Sequence, residues 1–430
     1  MRRAIRILLL AALASPLVNA QSPAPSGTDR LASITATGSR RYPSEQIAGA
    51  TGLRVGSTVT RDDFQRGADL LAKLGPFATV QYRFMNDSAG AKVIYEVTDA
   101  PAVPVTFDNF PWFSEAELNA AIKAAVMLYD GAAPENGTIL DAMSDALVQL
   151  LAAHGVQAEV SHTLSQKPGT DQRVIDFHVK GPSLEVEGVQ FTDALARNDH
   201  GIQQRLSDLL GKPFSRSAFE LFEIEQVRPV YLGHAFLRVK FGPPSAGFTG
   251  DPNKPLPDKV LVVAPIDPGP AYTFGTISWT GNKAIPDGEL DALIALSQGQ
   301  VANGLRIELT WEHVTDAYAR LGYLDAKVNP TPLYDDAAAR VSFNVAITEG
   351  VQYRMGDLIL TGLSLEGERR IRGAWRIPAG DVFNKETYEQ FLSSGIPQAF
   401  VGLPVHYDKI GRFLQEDSKT GKVDVLIDFQ

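Results

Sequence analysis

Tyr272-Thr273-Phe274-Gly275-Thr276-Ile277-Ser278-Trp279-Thr280-Gly281-Asn282-Lys283 alternates largely apolar and polar side chains and then turns, so it reads as a strand closed by Gly281-Asn282. A short amphipathic segment follows over 287–296. Gly299-Gln300-Val301-Ala302-Asn303 then introduces a helix over 305–321, and Gly322-Tyr323 breaks it. Strand-like runs at 324–330 and 339–348 complete the order strand, helix, helix, strand, strand. That order decides the fold because it recurs along the chain.

First strands begin near residues 34, 103, 184, 272 and 353, a period of about 70–90 residues that exceeds the usual solenoid repeats. Ahead of the long helix stand Gly56-Ser57-Thr58-Val59-Thr60, Gly211-Lys212-Pro213-Phe214-Ser215 and Gly380-Asp381-Val382-Phe383-Asn384, with 299–303 as a looser version. Glycine turns the backbone, and Thr60, Ser215 and Asn384 are placed to cap the exposed amides, as Thr138 is in the second segment. Leu74-Gly75, His154-Gly155, Leu232-Gly233 and Leu321-Gly322 mark the exits. Gly281, Asn282, Gly322 and Gly380 are accordingly assigned to turns. The units are 31–98, 102–181, 182–269, 270–350 and 351–430, after a flexible leader at 21–30. In the third, Phe219, Phe222, Val227 and Val230 recur three or five places apart, and strands are predicted at 234–241 and 259–264 around a long Pro/Gly loop. The fifth is predicted to close with strands at 405–409 and 422–429.

Apolar residues make up 44% and charged residues 21% of the 430, the balance of a folded chain. The net charge of −10 gives no sign of nucleic-acid binding. Arg2, Arg3 and Arg6 precede an apolar run, and Val18-Asn19-Ala20 suits a secretory peptidase, so 1–20 reads as a signal peptide. No later run approaches the roughly 18 apolar residues of a membrane span. The chain has no cysteine, so an exported protein of this kind relies on packing within and between units. Export with neither disulfide nor lipid anchor points to the periplasm.

Chemistry is not legible. The seven histidines form no ligand motif, no serine sits in a nucleophile elbow, and the glycine spacings fit no phosphate loop. No catalytic residue, metal site, cofactor or small-molecule substrate is expected. His154 and His234 are placed to meet terminal helix carbonyls, and Asp335-Asp336 reads as a solvated turn. A sheet covered by helices on one face offers instead a free edge on which an extended strand can pair, and 272–348 is expected to present such an edge. Trp112 and Phe113, and Phe241 and Phe248 in the long loop, are candidate partner anchors.

The repeated order resembles the POTRA domains of the BamA/Omp85 and two-partner-secretion transporter families, most closely at 277–283 and at Ala317-Tyr318-Ala319-Arg320-Leu321-Gly322-Tyr323-Leu324. The resemblance implies an α+β fold: a tandem array of five POTRA-like β-α-α-β-β domains, each with two helices on a three-stranded mixed sheet. It also implies a non-enzymatic scaffold that engages unfolded outer-membrane proteins, an Omp85-type β-barrel or other envelope assembly proteins. Family members continue into a membrane barrel; here no series of barrel strands follows 430, so channel activity by this chain alone is not expected. A structural adaptor in an envelope or division complex and a degenerate transporter fragment are the alternatives.

Overall fold

A computed structural model describes residues 29–247, 259–402 and 407–430. The signal peptide assigned to 1–20, most of the leader, Phe248 and Val405 lie outside the described residues. Asp29 and Arg30, assigned to the leader, begin a strand. The chain divides into two compact units. One holds the described residues up to Glu187 with Gly211–Ala218 and the described part of Ser245–Leu261; the other holds Gly188–Leu210, Phe219–Pro244 and the described residues from Val262 onward.

In the first unit, Asp29–Thr37 pairs in parallel with Gly90–Asp99, which pairs antiparallel with Phe77–Asp87. Helices Ser44–Ala50 and Arg61–Leu74 belong to this segment. Phe64, Ala68 and Leu71 share a stripe at helical spacing, and Ala91, Val93, Tyr95 and Val97 alternate along the central strand, so both sets are buried together. Burying each large apolar side chain contributes about 1.5–3 kcal/mol. The second segment repeats the order, with Ala102–Phe107 parallel to Arg173–Lys180 and Glu159–Gln166 antiparallel beyond it. Its helices are Glu115–Ala125 and Ile139–Ala153. One apolar cluster runs through both segments.

The sheets differ from a bare three-stranded expectation at one edge. The glycine-led entry loop lies against the outer side of the first strand as well as heading the helix. In the first segment Leu31 N donates to Ser57 O (2.8 Å) and Gly56 N to Leu31 O (2.7 Å). The same pair recurs as Val186 N to Lys212 O with Gly211 N to Val186 O, and as Met355 N to Asp381 O with Gly380 N to Met355 O. It recurs again as Phe274 N to Gln300 O (2.8 Å) and Gly299 N to Phe274 O (2.7 Å). Gly299 is needed for its backbone: φ is +83° and an added Cβ would touch nothing within 4 Å. In the second segment the strand Ala132–Pro134 takes this place against Ala102–Pro104, in a loop whose sequence lacks the entry pattern.

In the second unit, Thr273–Thr280, Arg340–Thr348 and Lys327–Asp335 form a sheet in that order, beside the helix Gly304–Arg320. Arg354–Thr361, Lys422–Phe429 and Ile410–Asp417 form the next. Its edge strand begins at Ile410, and the described part of the predicted 405–409 strand, residues 407–409, is not strand. In the third segment only Lys240–Phe241 of the predicted strand forms, paired with Ile266–Asp267. The residues before it close the helix instead: His234 N bonds Val230 O, Phe236 N bonds Tyr231 O, and Ala235 turns at φ +66°.

Two long helices widen for a proline. Pro229 and Pro397 lie within helical chain, where the ring would clash with the carbonyl four residues back. The residue before each proline donates five residues back, Arg228 N to Glu223 O and Ile396 N to Phe391 O, which opens a π turn. This accounts for the spacing of five between buried Phe222 and Val227. Glu223, at the start of the first π turn, is buried with Oε1 unpartnered.

Successive segments are tied by hydrogen bonds at helix exits. Thr138 N and Oγ1 both donate to Lys73 O, and Tyr353 N donates to Gly322 O (2.8 Å). Asn303 Nδ2 donates to Gly233 O (3.0 Å), and Tyr272 donates through N to Ala235 O and through its hydroxyl to Asp336 Oδ1 (2.6 Å). Asp336 lies in the exposed hairpin turn, as read, and its carboxylate also accepts from Arg238 Nη1 of the third segment (3.1 Å).

Candidate strand-pairing edges

In four segments the first-strand side is closed, and among the described residues no strand pairs with the other end of the sheet. It is occupied by Phe77–Asp87, Glu159–Gln166, Lys327–Asp335 and Ile410–Asp417. An edge accepts an added strand only where its outward backbone groups are present.

Asn109 fixes which groups face outward on Glu159–Gln166. Its Nδ2 donates to Val179 O (2.9 Å) and its Oδ1 accepts from Val179 N (2.6 Å). Both backbone groups of Val179 thus point away from the edge strand, and Val160, opposite it, forms a non-hydrogen-bonded pair. By alternation the N–H and C=O groups of Val160, His162 and Leu164 face outward, while their side chains lie on the helix-covered face. A cleft of about 420 Å³ runs beside this strand, lined by Leu140, Leu164 and Ile175 together with Lys73, Asp141 and His162. Ser144 Oγ holds His162 Nδ1 at 3.2 Å, so this histidine is a packed member of the cleft wall.

The fourth segment, expected to present a pairing edge, is the poorest one. Thr280 Oγ1 donates to Val345 O from the first-strand side, so Pro330, opposite Val345, would have directed its N–H outward, as would Pro332 two residues on. Both donors are missing, the arrangement that protects natural sheet edges.

The remaining candidates fall as follows. Phe113 is 7% exposed and packs edge-on against His154 at 4.8 Å between ring centres. It belongs to the core with Phe107 and Phe110, a correction to its reading as a surface anchor, and Trp112 is half-buried against that core. Phe241 is half-buried and meets Tyr231 edge-on. Thr60 N and Oγ1 both donate to Asp63 Oδ2 (2.7 Å). Ser215 Oγ accepts from Ala218 N, and Asn384 Oδ1 from Thr387 N. Thr138 makes no cap: its backbone is already helical and its hydroxyl is committed to Lys73 O. Asn282 Nδ2 holds Ile285 O and Asp287 Oδ1 across its turn. Gly281, Gly322 and Gly380 all have positive φ. His154 and His234 Nδ1 meet Leu150 O and Val230 O. Among the described residues no group of three metal-ligating side chains converges. The edges, whose signal lies in backbone direction and strand order, had no counterpart in any sequence motif.

Residues 272–350 match the family model for POTRA, the surface antigen variable number repeat. This segment is thus similar to a POTRA domain. The sheets described above share its β-α-α-β-β order, so the α+β architecture resembles tandem POTRA domains. A Treponema pallidum protein, named for outer membrane protein assembly, is 27% identical over 124 residues, 29% of this chain and 15% of the relative. The matched region is thus a small part of that relative's length. POTRA domains 3–5 of Haemophilus influenzae BamA match at 18% identity and a TM-score of 0.42, covering 57% of this chain and 96% of that structure. The N-terminal domain of Thermosynechococcus elongatus Omp85 matches at 16% identity and a TM-score of 0.25, covering 58% and 98%.

Proposed function

We propose that this chain is a periplasmic, non-enzymatic POTRA scaffold that receives an extended strand of an outer-membrane client or partner on its free sheet edges. The observation that carries this reading is the one-sided closure of the sheets. Entry loops occupy one edge, and Glu159–Gln166 keeps three outward-facing backbone positions without proline beside an apolar-lined cleft. Backbone pairing gives affinity that tolerates many sequences, and Leu140, Leu164 and Ile175 add selectivity for an apolar side chain. Unfolded barrel strands, which alternate apolar and polar residues, have that chemistry.

Leu164→Pro tests it. The outward N–H of Leu164 serves no ladder bond, so the variant keeps its fold while losing a donor and gaining a ring on the edge. Its thermal midpoint is expected to stay near that of the parent chain. Binding of a urea-unfolded outer-membrane barrel polypeptide, followed by fluorescence anisotropy on dilution, is expected to weaken about tenfold, more than for Leu164→Ala. Equal binding by Leu164→Pro and the parent chain would remove this edge from the function.

A further inference from the structure

The helix-free faces of the sheets can be compared row by row, because each central strand is in the same register with its neighbours. Three residues before the last inward-facing residue of the central strand, the second segment places Thr106, Asp176 and Thr163 side by side. The fourth places Ser278, Asn344 and Thr331. These rows are polar and internally bonded: Thr106 Oγ1 donates to Asp176 Oδ1, and Ser278 Oγ to Asn344 Oδ1, both at 2.7 Å. In the first segment the row is Thr35, Ile94 and Arg83. The equivalent row of the fifth is Ile359, Leu426 and Phe413, apolar across all three strands.

None of these three side chains joins the core of the fifth repeat, which takes Val423, Val425, Ile427 and Phe429 from the opposite face. Phe413 is 55% exposed and Ile359 38%. Along the central strand the row is bracketed by Asp424 and Asp428, each two residues from Leu426 and so roughly 7 Å away. Asp357, exposed, extends the acidic border, its N–H donating to Asp424 Oδ1 (2.6 Å). Among the described residues no Lys or Arg forms an ion pair with any of the three carboxylates. Thr361 and Gln430 donate to Asp428 and hold its carboxyl below the usual range, so it stays charged. An exposed apolar row between unneutralised carboxylates suits a partner that brings apolar contact and cations together. The same border disfavours a second copy of this chain, which would set carboxylates against carboxylates.

We propose that the helix-free face of the fifth sheet docks a protein segment of another chain that presents an apolar ridge between Lys or Arg side chains. This surface is separate from the strand edge of the second repeat, and the two stand or fall independently. The probe is a fluorescent amphipathic peptide of leucine and lysine, with a leucine and glutamate version of the same spacing as control, titrated into the full chain at low and high salt. The leucine–lysine peptide is expected to bind, the control not to, and salt to weaken binding. Phe413→Thr, which copies the fourth repeat at an exposed position, is expected to weaken binding at least about tenfold, as truncation of a central aromatic contact does. Asp424→Asn with Asp428→Asn is expected to flatten the salt dependence, while Leu164→Pro leaves this binding unchanged. Absence of binding, equal binding of both peptides, or indifference to Phe413→Thr would overturn the proposal. Self-association of the chain that Phe413→Thr abolishes would assign the face to a second copy and overturn it equally.

Discussion

Gly137→Ala is expected to cost about 3–5 kcal/mol, the sum of left-handed strain and an overlap that cannot relax. Gly137 has φ +123°, and a Cβ there would stand 2.2 Å from Leu74 O and 2.6 Å from Gly75 Cα. Both neighbours are backbone atoms of the first repeat's helix exit, so no side chain can rotate away. The contact also carries the bonds from Thr138 to Lys73 O. Gly131→Ala is the matched control: φ is +105°, yet an added Cβ meets nothing within 4 Å. It is expected to lose only the conformational part, about 1–2 kcal/mol. Urea unfolding of both variants measures the difference; equal losses would show that the joint between the first two repeats contributes nothing at this point.

Glu223→Gln is expected to change how stability depends on pH. Burial, with a smaller contribution from nearby Glu220, pushes the Glu223 carboxyl up to about 8. In the unfolded chain it titrates near the ordinary glutamate value, so between that value and pH 8 the folded state binds more protons. Stability from this group is therefore full at acid pH, falls as pH rises through the window, and is lost above about pH 8. The shift corresponds to a loss on the order of 4–5 kcal/mol. Glutamine keeps the shape without the charge. The variant is expected to match the parent near pH 5 and to melt clearly higher near pH 9. A difference between the two chains that does not change with pH would mean that Glu223 is not buried as a neutral acid.

Much of the scaffold was legible because it rests on local chemistry. Glycine exits, the Thr60–Asp63 and Asn384 caps, and the alternation of Ala91 to Val97 and of Val423 to Phe429 follow from hydrogen bonding and side-chain period within one element. The π turns were half legible: the spacing from Phe222 to Val227 recorded the extra residue, but only the bond from Arg228 N to Glu223 O explains it. Aromatic residues misled because exposure is not a local property. Phe113 sits in a loop, yet the neighbouring helix and His154 enclose it. Thr138 misled similarly, since the acceptor of its hydroxyl lies 65 residues earlier.

The sequence by itself determined the repeated strand and helix order, the positions of most turns, and the lack of a legible catalytic or metal-binding motif, all of which depend on residues close along the chain. Tertiary structure alone decided which sheet edge is free, that Pro330 and Pro332 blunt one such edge, and that one outward row is apolar. Those properties depend on which strands lie side by side and which way each backbone group points. A one-residue change of register would reverse the last two while leaving strand order and the local pattern untouched.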